Sequence, residues 1–349
     1  MHSSTAGAGG RIANYLVPYS AYMVTMSSDS TNNALIGAMS IDRAGKSNCC
    51  ANCGVKETKD IKLMICTACK SVHYCGVECQ KKHRPKHEKD CKKRAAELRD
   101  EILFKQPEST HMGDCPICCL PHPLGGIANG KELFSCCSQL VCMGCTHANT
   151  MREIKLKQAQ RCPFCRSPCG KNKKQHMKYI MERAAVNCPV ALYQLGADAH
   201  TGGKYTDAMK YLKKAVELGN MDSNYQIAEL YATGSGGEKD EKKRITHLET
   251  AAIGGHPGAR FYLASIEMKN HRPDRAIKHI VIAAKLGEEA GIKQLQCFYE
   301  QGMLKKEVFA EALRGYQSAE NATKSPHREE AEKFSRMKSA FSRMKSEQG

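Results

Sequence analysis

Twenty cysteines fall in this 349-residue chain, and all but Cys188 and Cys297 lie between Cys49 and Cys169. In a short secreted chain that count would suggest disulfides. Here the chain is long and the cysteines recur as C-x2-C pairs, a pattern that points to metal ligation in a reducing compartment. From Cys50 the order is C-x2-C, twelve residues, C-x2-C, five residues, C-x3-C, seven residues, His, three residues, Cys. The candidate ligands are Cys50, Cys53, Cys66, Cys69, Cys75, Cys79, His87 and Cys91. Eight ligands suffice for two tetrahedral sites, and thiolate with imidazole is the set that structural zinc prefers. Cys79, His83, His87 and Cys91 step by four, so a helix places them along one face. A second cluster holds Cys115, Cys118, Cys136, Cys137, Cys142, Cys145, Cys162 and Cys165, again enough for two ions. The expected complement is four Zn²⁺.

The first cluster resembles the MYND zinc finger, with Tyr74, Cys75, Cys79, Gln80, His87 and Cys91 in the family's order. The resemblance implies interleaved sites: Cys50, Cys53, Cys75 and Cys79 on one zinc, and Cys66, Cys69, His87 and Cys91 on the other. Arg84 departs from the family, which carries Trp after the first histidine of that helix. Cys49 is an alternative to Cys50, and His83 is expected to be packed or hydrogen-bonded rather than a ligand. The second cluster resembles an all-cysteine RING finger. The implied cross-brace puts Cys115, Cys118, Cys142 and Cys145 on one ion and Cys136, Cys137, Cys162 and Cys165 on the other. The family has a spacer where Cys136 and Cys137 are adjacent, so Cys119, His122, His147 and Cys169 stand as substitutes for one of that pair.

A RING-type ubiquitin ligase orients a ubiquitin-loaded conjugating enzyme and needs no nucleophile of its own. The resemblance implies three contact positions for that enzyme: Ile117 between the first two cysteines, Pro163 after the seventh ligand, and Arg166 after the eighth. The family's central-helix Trp is missing, because the chain has no Trp. CTHANTMREI offers Met151 and Ile154 in its place. The alternative is a non-enzymatic zinc-finger scaffold, separated from the ligase by whether Ile117, Pro163 and Arg166 form one exposed patch. Catalytic zinc is disfavoured, because cysteine-saturated sets leave no position for water. MYND fingers also occur in SET-domain methyltransferases, but the flanking residues here give no sign of one.

Between Lys81 and Arg94 stand eight Lys or Arg and two acids. Fifteen ligand thiolates against four divalent ions would reduce the formal charge of +17 to about +10, so part of this run compensates thiolate charge. Without aromatic interleaving to stack bases, nucleic acid is the weaker reading and proteins are the expected partners. No window of eighteen apolar residues suggests a membrane span. NYLVPYSAYMV is broken by Pro18 and has almost no basic lead-in, which argues against a secretory signal. The expected location is cytoplasmic, nuclear or both.

From Cys188 a repeat sets in. ALYQLG, SNYQIA, ARFYLA and GIKQLQ begin at 191, 223, 259 and 291, and AVELG, AAIGG and AAKLG begin at 215, 251 and 283. Both series give spacings of 36 and 32, with the extra residues assigned to GSGGEKDEKK. The pattern resembles Sel-like repeats, relatives of the tetratricopeptide repeat, through Leu195, Gly196, Ala208, Ala215 and Gly219. It implies stacked helical hairpins with a concave protein-binding surface. The expected fold is multidomain: two small zinc-stabilised α+β modules followed by an all-α helical-repeat solenoid. The segments are a disordered tail (1–47), a MYND finger (48–92), a helical linker (93–111), a RING finger (112–169), a lead-in helix (170–187), repeats (188–322) and a tail (323–349). The tail's FSRMKSAFSRMKSE is read as a frayed, solvated end, with a short helix bearing an interaction stripe as the alternative.

Overall fold

Four of the C-x2-C pairs, and the Phe134–Cys137 pair at the same spacing, impose the same turn five times. In each, the residue after the second cysteine takes a left-handed backbone: Gly54, Lys70, Cys119, Ser138 and Arg166, with φ between 51° and 77°. Its N–H donates to the carbonyl four residues back, as Gly54 does to Cys50 and Lys70 to Cys66, each at 2.9 Å. Four of the five residues are not glycine, so the turn works against local backbone preference and needs an outside contribution to persist.

A computed structural model describes residues 49–124, 130–170 and 172–347, with side chains as far as 338. The expected N-terminal tail lies outside them. In the first module β1 (Met64–Ile65) and β2 (His73–Tyr74) pair antiparallel, and α1 (Val77–Leu103) follows. That helix continues without a break past the module, so the expected linker helix is its second half. In the second module β3 (Lys131–Phe134) and β4 (Gln139–Cys142) form a hairpin, and α2 (Met143–Lys155) follows directly.

After α3 (Lys173–Ala185), four hairpins stack: α4 (Pro189–Thr201) with α5 (Tyr205–Glu217), α6 (Met221–Thr233) with α7 (Glu241–Ile253), α8 (Pro257–Lys269) with α9 (Pro273–Lys285), and α10 (Glu289–Glu300) with α11 (Lys306–Ala322). Ala208, Leu212, Ala215, Ile227, Ala251 and Ala259 have no exposed surface, which places the small repeat positions where helices meet. The four extra residues fall in the α6–α7 loop, where Gly234 caps α6 in the left-handed region and Asp240 caps α7. Among the described residues no helix is long and apolar enough to cross a membrane.

The end of α1 is built into this stack. Leu103, 1% exposed, packs in a cluster with Ala228, Leu248, Ala251 and Leu263. Arg260, wholly buried, donates to the carbonyls of Leu103 and Ala252. Phe104 lies under the cations of Arg275 and Lys278 at 4.9 and 5.3 Å. Further on, the chain runs so close to Gly255 that a Cβ there would fall 2.5 Å from the Ser109 carbonyl oxygen. This edge of the repeats is filled by the chain itself.

The tail is not frayed. Helix α12 (Pro326–Glu347) packs along α2 of the second module, and Ala331 is 3% exposed. Arg328 comes close to Gly144 and Phe334 packs on His147 of α2, while Phe334 and Met337 keep much of their surface exposed.

Candidate metal centres

Four sets of side chains gather so that their ligand atoms lie within 4.8 Å of one another: Cys50, Cys53, Cys75 and Cys79; Cys66, Cys69, His87 and Cys91; Cys115, Cys118, Cys142 and Cys145; and Cys136, Cys137, Cys162 and Cys165. A tetrahedral zinc with thiolates at about 2.3 Å places its sulfurs about 3.8 Å apart. The sulfur separations fit: Cys53–Cys75 3.6 Å, Cys66–Cys91 3.7 Å, Cys118–Cys142 3.7 Å, Cys136–Cys165 3.5 Å and Cys137–Cys162 3.7 Å. His87 brings Nε2 to 3.2 Å from the Cys69 sulfur. Every cysteine in these sets is a free thiol.

Electrostatics point the same way. Donating hydrogen bonds to Cys79 and Cys53 keeps the Cys75 thiol protonated and pushes it up to about 12, and burial, helped by Cys66, pushes Cys91 up to about 12. At Cys50 burial acts upward but is outweighed by backbone donors led by Cys53, which bring it down to about 6. One thiolate in a set therefore opposes the next, and a divalent cation removes the conflict.

The adjacent pair has a geometric explanation. Cys137 occupies the second-cysteine position of a knuckle whose first position is Phe134: the Ser138 N–H donates to the Phe134 carbonyl at 2.7 Å. Both cysteines lie in the β3–β4 turn, so Cys136 and Cys137 reach the same centre. The substitutes stay outside it. Cys119 is the exposed residue after a knuckle, and His147 packs against Phe334. Buried His122 is held down to about 4 by burial and by Lys131 and Arg328, and Cys169 is half-buried beside the cluster. Cys49 lies outside its set as well, and His83 hydrogen-bonds the Tyr74 hydroxyl at 3.1 Å and stacks on His87.

Ile117, Pro163 and Arg166 line one groove of about 410 Å³ beside α2. The three do not form one exposed patch: Ile117 and Arg166 are exposed, but Pro163 is buried. Asn149 on α2 holds Arg166, accepting from its Nη1 at 2.9 Å and donating to the Arg161 carbonyl at 3.2 Å. Sequence reasoning missed Asn149 and Arg328, which line the same groove and belong to no motif.

A fifth cluster, His111, Asp222 and His256, has metal-like proximity but the wrong proton arrangement. The His256 Nδ1 accepts the Ala259 N–H at 3.2 Å, and burial followed by His111 holds the ring down to about 3. The neutral ring therefore carries its proton on Nε2, the atom facing Asp222 at 3.7 Å. The cluster is a hydrogen-bonded clamp joining the segment before the second module to the repeats.

Residues 50–91 match the MYND finger family. A 68-residue stretch is 34% identical to the SET domain and MYND-type zinc finger protein 6 of Schizosaccharomyces pombe, covering 20% of this chain and 14% of that protein. Another similarity, 24% over 232 residues, is to the mouse DAP3-binding cell death enhancer 1, covering 52% of this chain and 45% of the relative. The chain thus spans less than half the length of either relative. Among solved structures, a Sel1 repeat protein from Oxalobacter formigenes is 22% identical with a TM-score of 0.38, covering 52% of this chain and 72% of that one. A protective antigen with an SLR fold from uropathogenic Escherichia coli is 18% identical with a TM-score of 0.37, covering 51% and 37%. The chain carries a zinc-binding MYND finger at residues 50–91, ahead of a second cysteine-built module and a stack of helical hairpins.

Proposed function

We propose that this chain is a four-zinc protein-interaction device whose second module works as a RING-type ubiquitin ligase, with the MYND finger and repeats recruiting partner proteins. The observation that carries the reading is the groove: Ile117 and Arg166 stand open on it, Pro163 forms its floor, and all three lie between the two cysteine centres and α2. Such a module contributes orientation alone, and Arg166, steadied by Asn149, offers the rigid fork of donors that orientation calls for. Fifteen ligand thiols suit the reducing cytosol or nucleus.

The burial of Pro163 favours the second reading, a scaffold without transfer activity. Ubiquitin transfer in vitro with a panel of conjugating enzymes separates the two. The ligase reading expects chains that weaken at least about tenfold on Ile117→Ala and on Arg166→Ala, the loss that follows when one anchor worth about 1.4 kcal/mol is removed. Fully zinc-loaded protein that makes no chains with any enzyme would leave the scaffold.

A further inference from the structure

Helix α12 meets the second module through a specific set of contacts. The Arg328 guanidinium donates through Nη1 to the carbonyls of Pro121 and Thr323, each at 2.7 Å. Through Nη2 it donates to the Leu120 carbonyl at 3.1 Å and to the Cys118 sulfur at 3.4 Å. Cys118 belongs to one of the four ligand sets, so a fixed cation stands where thiolate charge gathers. Ala331 is buried one turn on, and Phe334 brings its ring to 5.0 Å from His147 on α2.

The facing helix makes room for this. A Cβ on Gly144 would fall 2.8 Å from the Arg328 backbone nitrogen, an atom that cannot swing aside as a side chain can. Glycine inside a helix costs about 1 kcal/mol relative to alanine, and the close approach of α12 gives a reason for it in α2. The same segment narrows the groove from one side: Ser325, His327 and Arg328 form one wall of the space that Ile117, Pro163 and Arg166 also line.

We propose that α12 is an intramolecular clamp over the conjugating-enzyme groove, and that the enzyme docks only when this helix leaves. The inference rests on the ligase reading above. Joined to α11 by the short turn around Thr323, the helix faces its site at an effective concentration on the order of millimolar, which a soluble partner must outcompete. Release therefore opens the groove by removing the wall that Ser325, His327 and Arg328 supply.

The test is discharge of ubiquitin from a loaded conjugating enzyme by three zinc-verified proteins: the full chain, a chain ending at Thr323, and full-length Ala331→Asp, which places a carboxylate at a buried position of α12. Both released forms should discharge about tenfold faster or more. A synthetic peptide of residues 324–349 should slow the shortened chain again, and Ile117→Ala within it should abolish the gain. Equal rates for all three proteins would overturn the clamp and leave the ligase standing. No discharge from any of them would overturn the ligase reading, and the clamp with it.

Discussion

Removing zinc should unfold both cysteine-built modules, within 49–91 and 115–169, while the helices of 189–322 remain. The second module's buried cluster consists of Cys115, Phe134, Val141, Cys142 and Cys162, and three of those five are metal ligands. The first module's cluster is Cys50, Cys66, Cys69 and Tyr74, of which only Tyr74 is not a ligand. Without the ion neither has an apolar core to fall back on, and left-handed Lys70, Cys119, Ser138 and Arg166 would relax. Structural zinc is worth about 10–16 kcal/mol per site in small fingers, against a typical domain stability of about 5–15 kcal/mol. The repeats are packed by Ala, Leu and Ile side chains that touch no candidate ligand set. Hydrogen exchange after chelation should show protection lost across 49–75 and 115–169 and kept across 189–322. Loss of protection in the repeats as well would contradict the separation.

The second large effect is expected at Leu103→Ala. Leu103 is buried among residues of α6, α7 and α8, yet it ends the helix that begins in the MYND finger. Truncating a fully buried leucine costs about 2–5 kcal/mol, depending on how far the cavity collapses. Arg260 cannot compensate, because it binds the Leu103 carbonyl rather than the side chain and is itself sealed from water. For a helical region of this size the repeat unfolding midpoint should fall by roughly 6–12 °C. Proteolysis near Lys105 should quicken as the segment loosens. An unchanged midpoint with unchanged cleavage would mean that the α1 terminus rests on the repeats without contributing to them.

How much of this could be read in the sequence depended on whether a feature was written locally. Cysteine spacing specifies a turn over four residues, and the sixteen candidate positions gather into four clusters grouped as the MYND and RING resemblances imply. Even the adjacent Cys136 and Cys137 carry a local signal once Phe134 is seen in the first-cysteine position of the knuckle. The 32- and 36-residue spacings likewise became hairpins, because each unit buries its small residues against its neighbours. Contacts between distant segments left no such mark. The Leu103–Phe104 dipeptide reads as an ordinary amphipathic end until Arg260, 157 residues on, reaches back to it. The tail misled for a related reason: Phe334 and Met337 of its conspicuous Phe and Met duplication keep much of their surface exposed, while Arg328, outside the duplication, makes the hydrogen bonds to the second module. The burial of Pro163 is tertiary in the same way, since nothing in CPFCR distinguishes a groove floor from a groove rim.

The most direct measurement of the central claim, that both modules are built on paired zinc centres, is a metal count on the intact chain by native mass spectrometry. Four zincs are expected in the wild type, three in Cys137→Ala and four in Cys169→Ala, because Cys137 lies in a ligand set and Cys169 only beside one. Two zincs in the wild type, with Cys137→Ala also retaining two, would contradict it by confining the metal to the MYND finger.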